Sequence, residues 1–377
     1  MKVQNILLVN ALPLNNGDAA LVFSAKDYFV KKGYSVKIAT QKFETVKKHY
    51  PETDFVQDIN DIKILRKVPF FKIFISPLIF IFRRPYMQAD VIAGVPGGYL
   101  NSYYGIISTL MTFFLAKLFG KTTILLPQSF GPITGKDVVI FKIFHKFIDV
   151  FISRDDLSSA ELIKLGVKKG KLIQMPDFAF INAKPKKVLS GNKKAAISVR
   201  DWKYDERDSE KYQELILGFA TQLIQQGFEL EFISTCQGLI DYVDDSKIAK
   251  LIANRLPEEM KSKVIVNNSY YKFNEFNNYI EKFDLVVGTR LHMCIIALCK
   301  GIPAFNISYE AKGKECYSYL NLNDLSVDYN CSLERAKNQF TSFLTDYKNY
   351  KKSIDLEVLS VKNEIEYKMN NLISRLN

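Results

Sequence analysis

DLVVGTRLHMCIIALCKGIPAFNISYEAKGK, residues 284–314, is the stretch that decides the fold. Its pattern predicts a short apolar strand over residues 285–287, a tight turn, a helix that is apolar on every face until Gly301, and a second strand over residues 304–307. A helix that is apolar all round lies inside a protein, and strands without a polar face belong to a parallel sheet covered on both sides. The stretch therefore predicts a strand–helix–strand unit at the centre of an α/β domain.

The first turn of this buried helix carries charge. Arg290 and His292 stand there, and Thr289 just before them could cap the turn. The free N–H groups and the dipole at a helix N-terminus attract anions even before the charge of Arg290 is counted. The turn therefore predicts part of a site for a small, highly anionic substrate.

The rest of the chain repeats the same alternation of strands and helices. In the first half, Asp18 is predicted to cap a helix over residues 19–32, and strands are predicted over residues 2–10, 35–39, 90–93, 122–126, 150–152 and 171–174. In the second half, strands are predicted over residues 195–199, 229–234 and 263–266 before the opening stretch, with helices between them. After about residue 333 the sequence is charged and helical.

The pattern predicts an α/β fold of two Rossmann-like domains that face each other across a cleft, a GT-B-like architecture, with C-terminal helices packing back. Residues 182–194 are basic and interrupted by Pro and Gly, which is typical of an inter-domain linker. The predicted boundaries are residues 1–181 for the acceptor-side domain, 195–345 for the donor-side domain and 346–377 for a C-terminal helical segment.

Composition limits the kinds of partner that the protein can have. The chain has 377 residues and a formal net charge of +12, which implies an anionic partner. The basic residues are dispersed and no nucleic-acid motif is present, so nucleic acid is not expected as a partner. The five cysteines have no metal-ligand spacing and are odd in number, which favours a reducing compartment and no structural zinc. We expect a cytoplasmic protein without a metal or cofactor.

One aromatic and apolar segment, residues 65–86, interrupts the alternation of strands and helices and has basic pairs at both ends. It is shorter than the roughly 20 apolar residues that a transmembrane helix needs. Two interpretations stay open: a buried helix of the first domain, or an interfacial segment that dips into the inner face of an anionic membrane.

Three arginines stand at or beside the carboxyl ends of predicted strands: Arg154, Arg200 and Arg290. Each could simply pair with a neighbouring aspartate. Because guanidinium groups bind phosphate and carboxylate bidentately, three of them at loop edges favour a ligand that bears both groups. Asp18 is a candidate for taking a proton from a hydroxyl. The acidic run at residues 241–245 is interpreted as a solvated loop or the start of a helix rather than a metal site.

Seven motifs, taken in order, resemble the polysaccharide pyruvyl transferase family: NNGDAA, GVPGGY, LLPQSFGPI, SRDDLSS, MPDFAF, SVRDW and the opening stretch, together reaching from Asn15 to Lys312. The resemblance implies a fold similar to GT-B glycosyltransferases. It also implies transfer of a pyruvyl group from phosphoenolpyruvate to two hydroxyls of a sugar, as a cyclic ketal, with release of phosphate. The implied acceptor is a cell-surface glycan or its lipid-linked precursor.

The resemblance also implies site residues. His292 would be the acid that protonates the methylene carbon, Asp18 the base, and Arg290 a catalytic and donor-binding residue. Many relatives have an acidic residue where this chain has Ala19, so the role of base would rest on Asp18 alone. The substrate-binding positions are Arg154, Arg200, Leu291, Lys312, Asn16, Gly97, Gly98 and Gln128.

Two other functions remain open from sequence. The same architecture supports a GT-B glycosyltransferase that uses a nucleotide sugar. A glycan- or membrane-binding module with an inactive site is the non-enzymatic alternative.

Overall fold

A computed structural model describes residues 3–61, 72–200, 208–239 and 242–376. Two compact units make up the chain. The first contains Met1–Leu14, Leu21–Ile181 and Glu364–Asn377, and the second contains Asn15–Ala20 and Asn182–Asn363. Residues 15–20, the first turn of a helix, thus group with the second unit although the chain around them groups with the first.

The first unit is built on a parallel sheet. Over the described residues its order is β3-β2-β1-β4-β5-β6-β7. The strands are β1 Asn5–Ala11, β2 Ser35–Thr40, β3 Phe55–Gln57, β4 Val91–Gly94, β5 Thr122–Gln128, β6 Val150–Ser153 and β7 Leu172–Gln174. All six strands predicted in this half are confirmed. Sequence analysis missed the short strand β3.

Helices cover this sheet. They are α1 Asn16–Lys31, α2 Phe43–His49, α3 Lys72–Phe82, α4 Arg84–Gln88, α5 Ile107–Leu118, α6 Lys136–Phe144 and α7 Asp156–Lys164. Short 3-10 turns lie at Ile59–Asp61, His145–Phe147, Lys169–Lys171 and Phe178–Asn182. Large buried side chains such as Phe80, Phe113, Phe141 and Phe151 form the core between helices and sheet. Burial of this apolar surface is the main force that holds the unit together.

The second unit repeats the plan. Its parallel sheet has the order β10-β9-β8-β11-β12-β13. The strands are β8 Lys194–Ser198, β9 Glu229–Phe232, β10 Val264–Val266, β11 Leu285–Gly288, β12 Ala304–Ser308 and β13 Ser326–Asp328. The helices are α8 Ser209–Gln225, α9 Ser246–Asn254, α10 Glu258–Lys261, α11 Phe273–Ile280, α12 Leu291–Lys300 and α13 Ala311–Tyr319, with a 3-10 turn at Asn323–Leu325. A last helix, α14 Leu333–Leu376, belongs to the second unit up to Asn363 and to the first unit from Glu364.

The opening stretch lies in the middle of this second sheet. Strand β11 pairs in parallel with β8 on one side and β12 on the other. Helix α12 is buried around nearly its whole circumference and ends at Gly301, whose φ of 81° is the left-handed conformation that glycine adopts most readily. A Cβ at Gly288 would lie 2.5 Å from Cys294 Sγ, so only glycine allows the helix to fold back this closely. The predicted strand–helix–strand unit is confirmed.

Helix α14 confirms the predicted helical C-terminus and runs as one element from Leu333 to Leu376. Residues 65–71 of the aromatic segment lie outside the described residues, and residues 72–82 form α3. No helix in the described part of the chain is both long enough and apolar enough to cross a membrane.

Candidate functional site

Most of the predicted site residues follow strands of the two sheets, at the edge where the strands end. In each sheet the first three strands are added in one direction, and the next strand lies on the opposite side of the first one. The strand order therefore reverses between β1 and β4 in the first sheet and between β8 and β11 in the second. Open parallel α/β sheets bind ligands at such points, beyond the carboxyl ends of the strands. Arg200 follows β8 and Arg290 follows β11, at the switch point of the second unit.

The turn formed by residues 15–18 belongs to the second unit. Asn15 caps α1: its Oδ1 accepts the backbone N–H of Asp18 at 2.8 Å, and its Nδ2 donates to the Asp18 carboxylate. The prediction that Asp18 caps this helix is therefore wrong. Asp18 is the third helical residue, and its carboxylate, fixed by the Asn15 amide, is available on the helix surface for a different task.

This turn is anchored to the second unit by several contacts. The backbone N–H of Asn16 donates to the Thr235 carbonyl at 2.7 Å, and the Asn16 side chain donates to the Tyr271 carbonyl at 3.1 Å. Gly17 lies against His292, because a Cβ at position 17 would be only 3.0 Å from the His292 Cβ. The structure thus brings Asp18, Asn16 and His292 into one site within the second unit.

Arg290 is held by a partner that the sequence analysis did not assign. Its Nε and Nη2 donate to the two carboxylate oxygens of Asp245 at 2.8 and 2.7 Å, and Ser234 donates to the same carboxylate at 2.5 Å. The Asp245 side chain is 1% exposed and Asp245 is the N-cap residue of α9, so of the two interpretations of the acidic run the helix start is confirmed at this position. A bidentate pair of this kind fixes the plane of the guanidinium and leaves its other N–H donors for a ligand.

Thr289 does not cap α12. Arg290 is the N-cap residue, with extended backbone, and the Thr289 hydroxyl instead pairs with the Tyr212 hydroxyl at 2.8 Å. Burial lowers the pKa of Arg290, but the opposing charge and hydrogen bonds of Asp245 outweigh burial and raise it. The guanidinium therefore stays positive throughout the accessible pH range, as an anion site requires.

The charged groups of the second unit lie close enough together to act on one thiol, that of Cys236. Burial raises the pKa of Cys236 to about 12, and four charges act on the same thiol: Arg290, Asp245, Asp18 and Arg200. Burial also raises the pKa of the neighbouring Tyr242, as does the negative charge of Asp18, whereas Arg290 lowers it. Tyr242 further accepts the Asn15 amide at 3.5 Å. The segment that contains Tyr242 and Asp245 therefore contacts both the Asp18 turn and Arg290.

Arg200 and Lys312 both lie near one aromatic ring. The Arg200 guanidinium carbon is 4.4 Å from the centre of the Tyr309 ring and Arg200 Nη1 donates to the Tyr309 hydroxyl, while Lys312 Nζ is 5.7 Å from the ring centre. Lys312 also pairs with Glu310 at 2.6 Å. These contacts join the two cations at one place in the second unit. Leu291 is buried in the first turn of α12 and packs that turn into the core.

The remaining predicted residues lie in the first unit, where they form their own cluster. Arg154 Nη1 donates to Asp177 at 2.6 Å and its Nε donates to the Ser129 hydroxyl at 2.8 Å. The Arg154 side chain is 6% exposed, so the ion pair is buried. Ser129 in turn donates to Asp155, which caps α7. Arg154 therefore pairs with a neighbouring aspartate, as one interpretation of each arginine allowed.

Gln128, Gly97 and Gly98 line the same edge. Gln128 is fully buried and donates to the Val95 carbonyl at 3.0 Å, and Gly97 continues the sheet by a bridge to Gln128. Arg154 Nη2 lies 3.7 Å from the position of a Cβ on Gly98. Gly98 therefore lies beside the Arg154 guanidinium.

Sequence reasoning missed Asn15, Asp245, Tyr242 and Asp177. Nothing in the local pattern distinguishes these residues from ordinary loop residues. The one available signal was that a buried arginine needs a buried carboxylate, and an aspartate follows several of the predicted strands.

The fold defines the class of protein first. The structure is similar to UDP-GlcNAc 2-epimerase from Neisseria meningitidis bound to UDP-GlcNAc, with a TM-score of 0.60, 11% identity, and coverage of 99% of this chain and 100% of that one. Anabaena Alr3699/HepE in complex with UDP-glucose is similar too, with a TM-score of 0.59, 12% identity, and coverage of 97% and 99%. The chain therefore has the predicted GT-B-like architecture of two parallel-sheet α/β units.

The sequence then defines the family. The polysaccharide pyruvyl transferase family matches residues 15–311, which include the Asp18 turn and the Arg290 helix. Amylovoran biosynthesis protein AmsJ from Erwinia amylovora is 25% identical over 262 residues. That match covers 64% of this chain and 62% of the relative, less than two thirds of its length. The chain belongs to the polysaccharide pyruvyl transferase family.

Proposed function

We propose that the protein transfers a pyruvyl group from phosphoenolpyruvate to two hydroxyls of a sugar in a cell-surface polysaccharide or its lipid-linked precursor. The product would be a cyclic ketal and free phosphate. Family membership supports a transferase of this kind, and the relative AmsJ bears a name from the biosynthesis of an exopolysaccharide. No metal or cofactor is required by the proposed reaction.

The observation that carries the proposal is the convergence of Arg290, His292 and Asp18 in one unit. Phosphoenolpyruvate bears a phosphate and a carboxylate on three carbons. Arg290 keeps three N–H donors beyond the two that Asp245 occupies, and Arg200 acts on the same thiol, Cys236. The N-terminus of α12 adds backbone N–H groups at the same place. This combination suits a compact dianion or trianion.

The proton transfers require an acid and a base. In the proposed reaction His292 delivers a proton to the methylene carbon, which makes the adjacent carbon electrophilic. A sugar hydroxyl then adds to that carbon as Asp18 accepts the hydroxyl proton. A second hydroxyl displaces phosphate and closes the ring. Of the two hydroxyl protons, one replaces the proton that His292 gave to the new C–H bond and the other leaves with phosphate. The position of Asp18 as a non-capping helical residue supports this role, because its carboxylate is not committed to the helix end.

The proposed donor site includes Asn16, Leu291 and Lys312 beside the three catalytic residues. For the acceptor we propose Arg154, Gln128 and the glycines Gly97 and Gly98 in the first unit. The buried ion pair of Arg154 and the buried Gln128 side chain would provide a rigid surface for sugar hydroxyls.

Phosphate release from phosphoenolpyruvate, measured with and without candidate lipid-linked sugars, tests the proposal. Mass spectrometry of the sugar product should show the added pyruvyl group. His292→Gln and Asp18→Asn should abolish most of the release, on the order of a hundredfold or more each. Acceptor-independent release, or unchanged release in both variants, would contradict the proposal.

Two outcomes would identify the alternatives. Stabilisation by a nucleotide sugar, but not by phosphoenolpyruvate, in a thermal-shift assay would indicate a nucleotide-sugar glycosyltransferase. Glycan binding that survives both Arg290→Ala and His292→Ala, without turnover, would indicate a binding module.

A further inference from the structure

Three helices of the first unit expose large apolar side chains to solvent. Phe82 at the end of α3 is 82% exposed, Leu118 at the end of α5 is 61% exposed, and Val139 on α6 is 61% exposed. Leu78, Ile107 and Ile143 on the same three helices are also exposed. Single exposed apolar residues are ordinary, but six on neighbouring helices indicate an interaction surface.

Helix α5 shows that the exposure follows a pattern. Ile107, Met111, Phe114 and Leu118 recur at intervals of four, three and four residues, which places them on one face of the helix. The adjoining side of the same helix, including Leu110 and Phe113, is buried in the core. Helix α5 is therefore apolar on its outer face as well as on its inner face.

Contacts between the helices make these residues one surface. Phe119, directly after α5, stacks on Phe80 of α3 with ring centres 5.2 Å apart. Helix α5 also packs against α6, and its partly buried Phe114 contacts Phe144 and Phe147 at ring distances of 5.6 and 4.7 Å. The middle helix thus joins the exposed apolar residues of α3 to those of α6. We call the exposed side of α3, α5 and α6 the apolar helical surface.

The charged residues around the apolar helical surface are mostly positive. Arg84 follows α3, and Lys136, Lys142 and Lys146 lie along α6 and just after it, all exposed. Lys136, Val139 and Ile143 share one side of α6 by their spacing. Asp137 is the one carboxylate in the sequences of these three helices, and the nearby Asp149 is already paired with Lys117 at 2.7 Å. The surface therefore combines apolar side chains with net positive charge.

We propose that the apolar helical surface docks on an anionic lipid bilayer. Short helices that present aromatic and aliphatic side chains between lysines and arginines lie in the membrane interface, where anionic headgroups attract the cations. Tyr103, just before α5, is 77% exposed, and tyrosine is enriched at this depth. The surface extends the interfacial interpretation of residues 65–86 to α5 and α6. It also deepens the proposed function, since it would bring the protein to a lipid-linked acceptor.

Co-sedimentation of the full chain with vesicles tests the proposal without any catalytic readout. The protein should pellet with vesicles of phosphatidylcholine and phosphatidylglycerol and stay mostly in solution with phosphatidylcholine alone. The triple variant Lys136→Gln, Lys142→Gln, Lys146→Gln should bind the anionic vesicles on the order of a hundredfold more weakly, at about fivefold per lysine. The variant Phe82→Ser with Leu118→Ser should bind them about tenfold more weakly.

Matched controls come from the second unit. Lys247, Lys250 and Lys263, all exposed, carry the same charge change, and Leu251→Ser with Ile265→Ser removes a similar exposed apolar area. Both control variants should bind the anionic vesicles as the unaltered protein does. Hydrogen exchange should slow in residues 107–118 and 136–144 when vesicles are added.

Three results would overturn the proposal. They are an absence of binding to the anionic vesicles, equal losses in the test and control variants, and a dimer in analytical ultracentrifugation that Phe82→Ser dissociates while vesicle binding persists. Failure of phosphate release with normal vesicle binding would instead reject the proposed reaction and leave the surface in place.

Discussion

Replacing Asp245 by asparagine tests how Arg290 is oriented. The change keeps the size of the side chain but removes the charge that faces the guanidinium. Asp245 and Arg290 are 1% and 16% exposed in their side chains, so the substitution leaves a buried cation without its counter-ion. We expect a loss of about 3–5 kcal/mol in the free energy of unfolding, the usual cost of breaking a buried ion pair from one side.

The kinetic effect should differ from that of removing Arg290 itself. Asp245→Asn keeps the positive charge in the site, so the KM for phosphoenolpyruvate should not rise. The guanidinium loses its fixed plane, however, and an error of about 1 Å in the placement of reacting groups can cost roughly a hundredfold in rate. We therefore expect kcat to fall on the order of a hundredfold. Arg290→Ala should instead raise KM strongly and remove protection by inorganic phosphate against thermal unfolding.

The neighbouring Asp244 provides the matched control. Its carboxylate accepts the backbone N–H of Ser246 at 3.0 Å, which an asparagine side chain can also do. Asp244→Asn makes the same change in charge one residue away and should leave kcat, KM and stability nearly unchanged. Steady-state phosphate release and denaturant unfolding, measured on all three variants, decide the matter. Our reasoning is refuted if Asp245→Asn keeps a normal kcat, or if it loses phosphate protection as Arg290→Ala does.

Three further predictions concern other parts of the structure. Gly17→Ala should lower kcat without lowering the thermal unfolding temperature, because alanine favours the helix whereas its Cβ would lie only 3.0 Å from that of His292; a normal rate would contradict the close packing. Arg154→Lys should destabilise the protein by about 1–3 kcal/mol in denaturant unfolding, since lysine cannot reproduce the planar contacts to both Ser129 and Asp177; unchanged stability would show that one contact suffices. Asp58→Asn should become progressively more stable than the unaltered protein as pH rises above 3.8 in thermal melts; a constant difference would contradict the pKa shift.

The sign of the Asp58 prediction follows from proton linkage. Burial raises the pKa of Asp58 in the folded protein above its ordinary value of 3.8, although the backbone N–H groups of Asn60 and Asn10 oppose the effect. As pH rises above that value, the unfolded chain loses the proton first. The folded state is then destabilised until its own carboxyl ionises. Asparagine does not ionise, so the Asp58→Asn variant does not lose stability in this way as pH rises.

Sequence periodicity determined most of the fold. The apolar runs of β1, β5 and β11 and the all-round apolar helix α12 are local features, because a strand or helix buried on both sides must be apolar along its own length. Strands β3 and β13 were missed, although the equally short β7 and β10 were predicted, because the pairing of β3 and β13 depends on the neighbouring strand rather than on their own pattern. The motifs also placed Arg290 and Arg200 at loop edges, since the carboxyl end of a strand can be located from the strand itself.

What the sequence by itself determined, then, is the α/β class, the family and the identity of the polar residues at the strand ends. Only the tertiary structure decided which partner each residue has. Asp245 is 45 residues from Arg290 and Asn15 is 227 residues from Tyr242, and these pairs form because folding brings distant segments together. A side chain's local pattern shows whether it will be buried, whereas its charge partner is set by the three-dimensional path of the whole chain. The Arg290 turn is accordingly a site oriented by a buried aspartate.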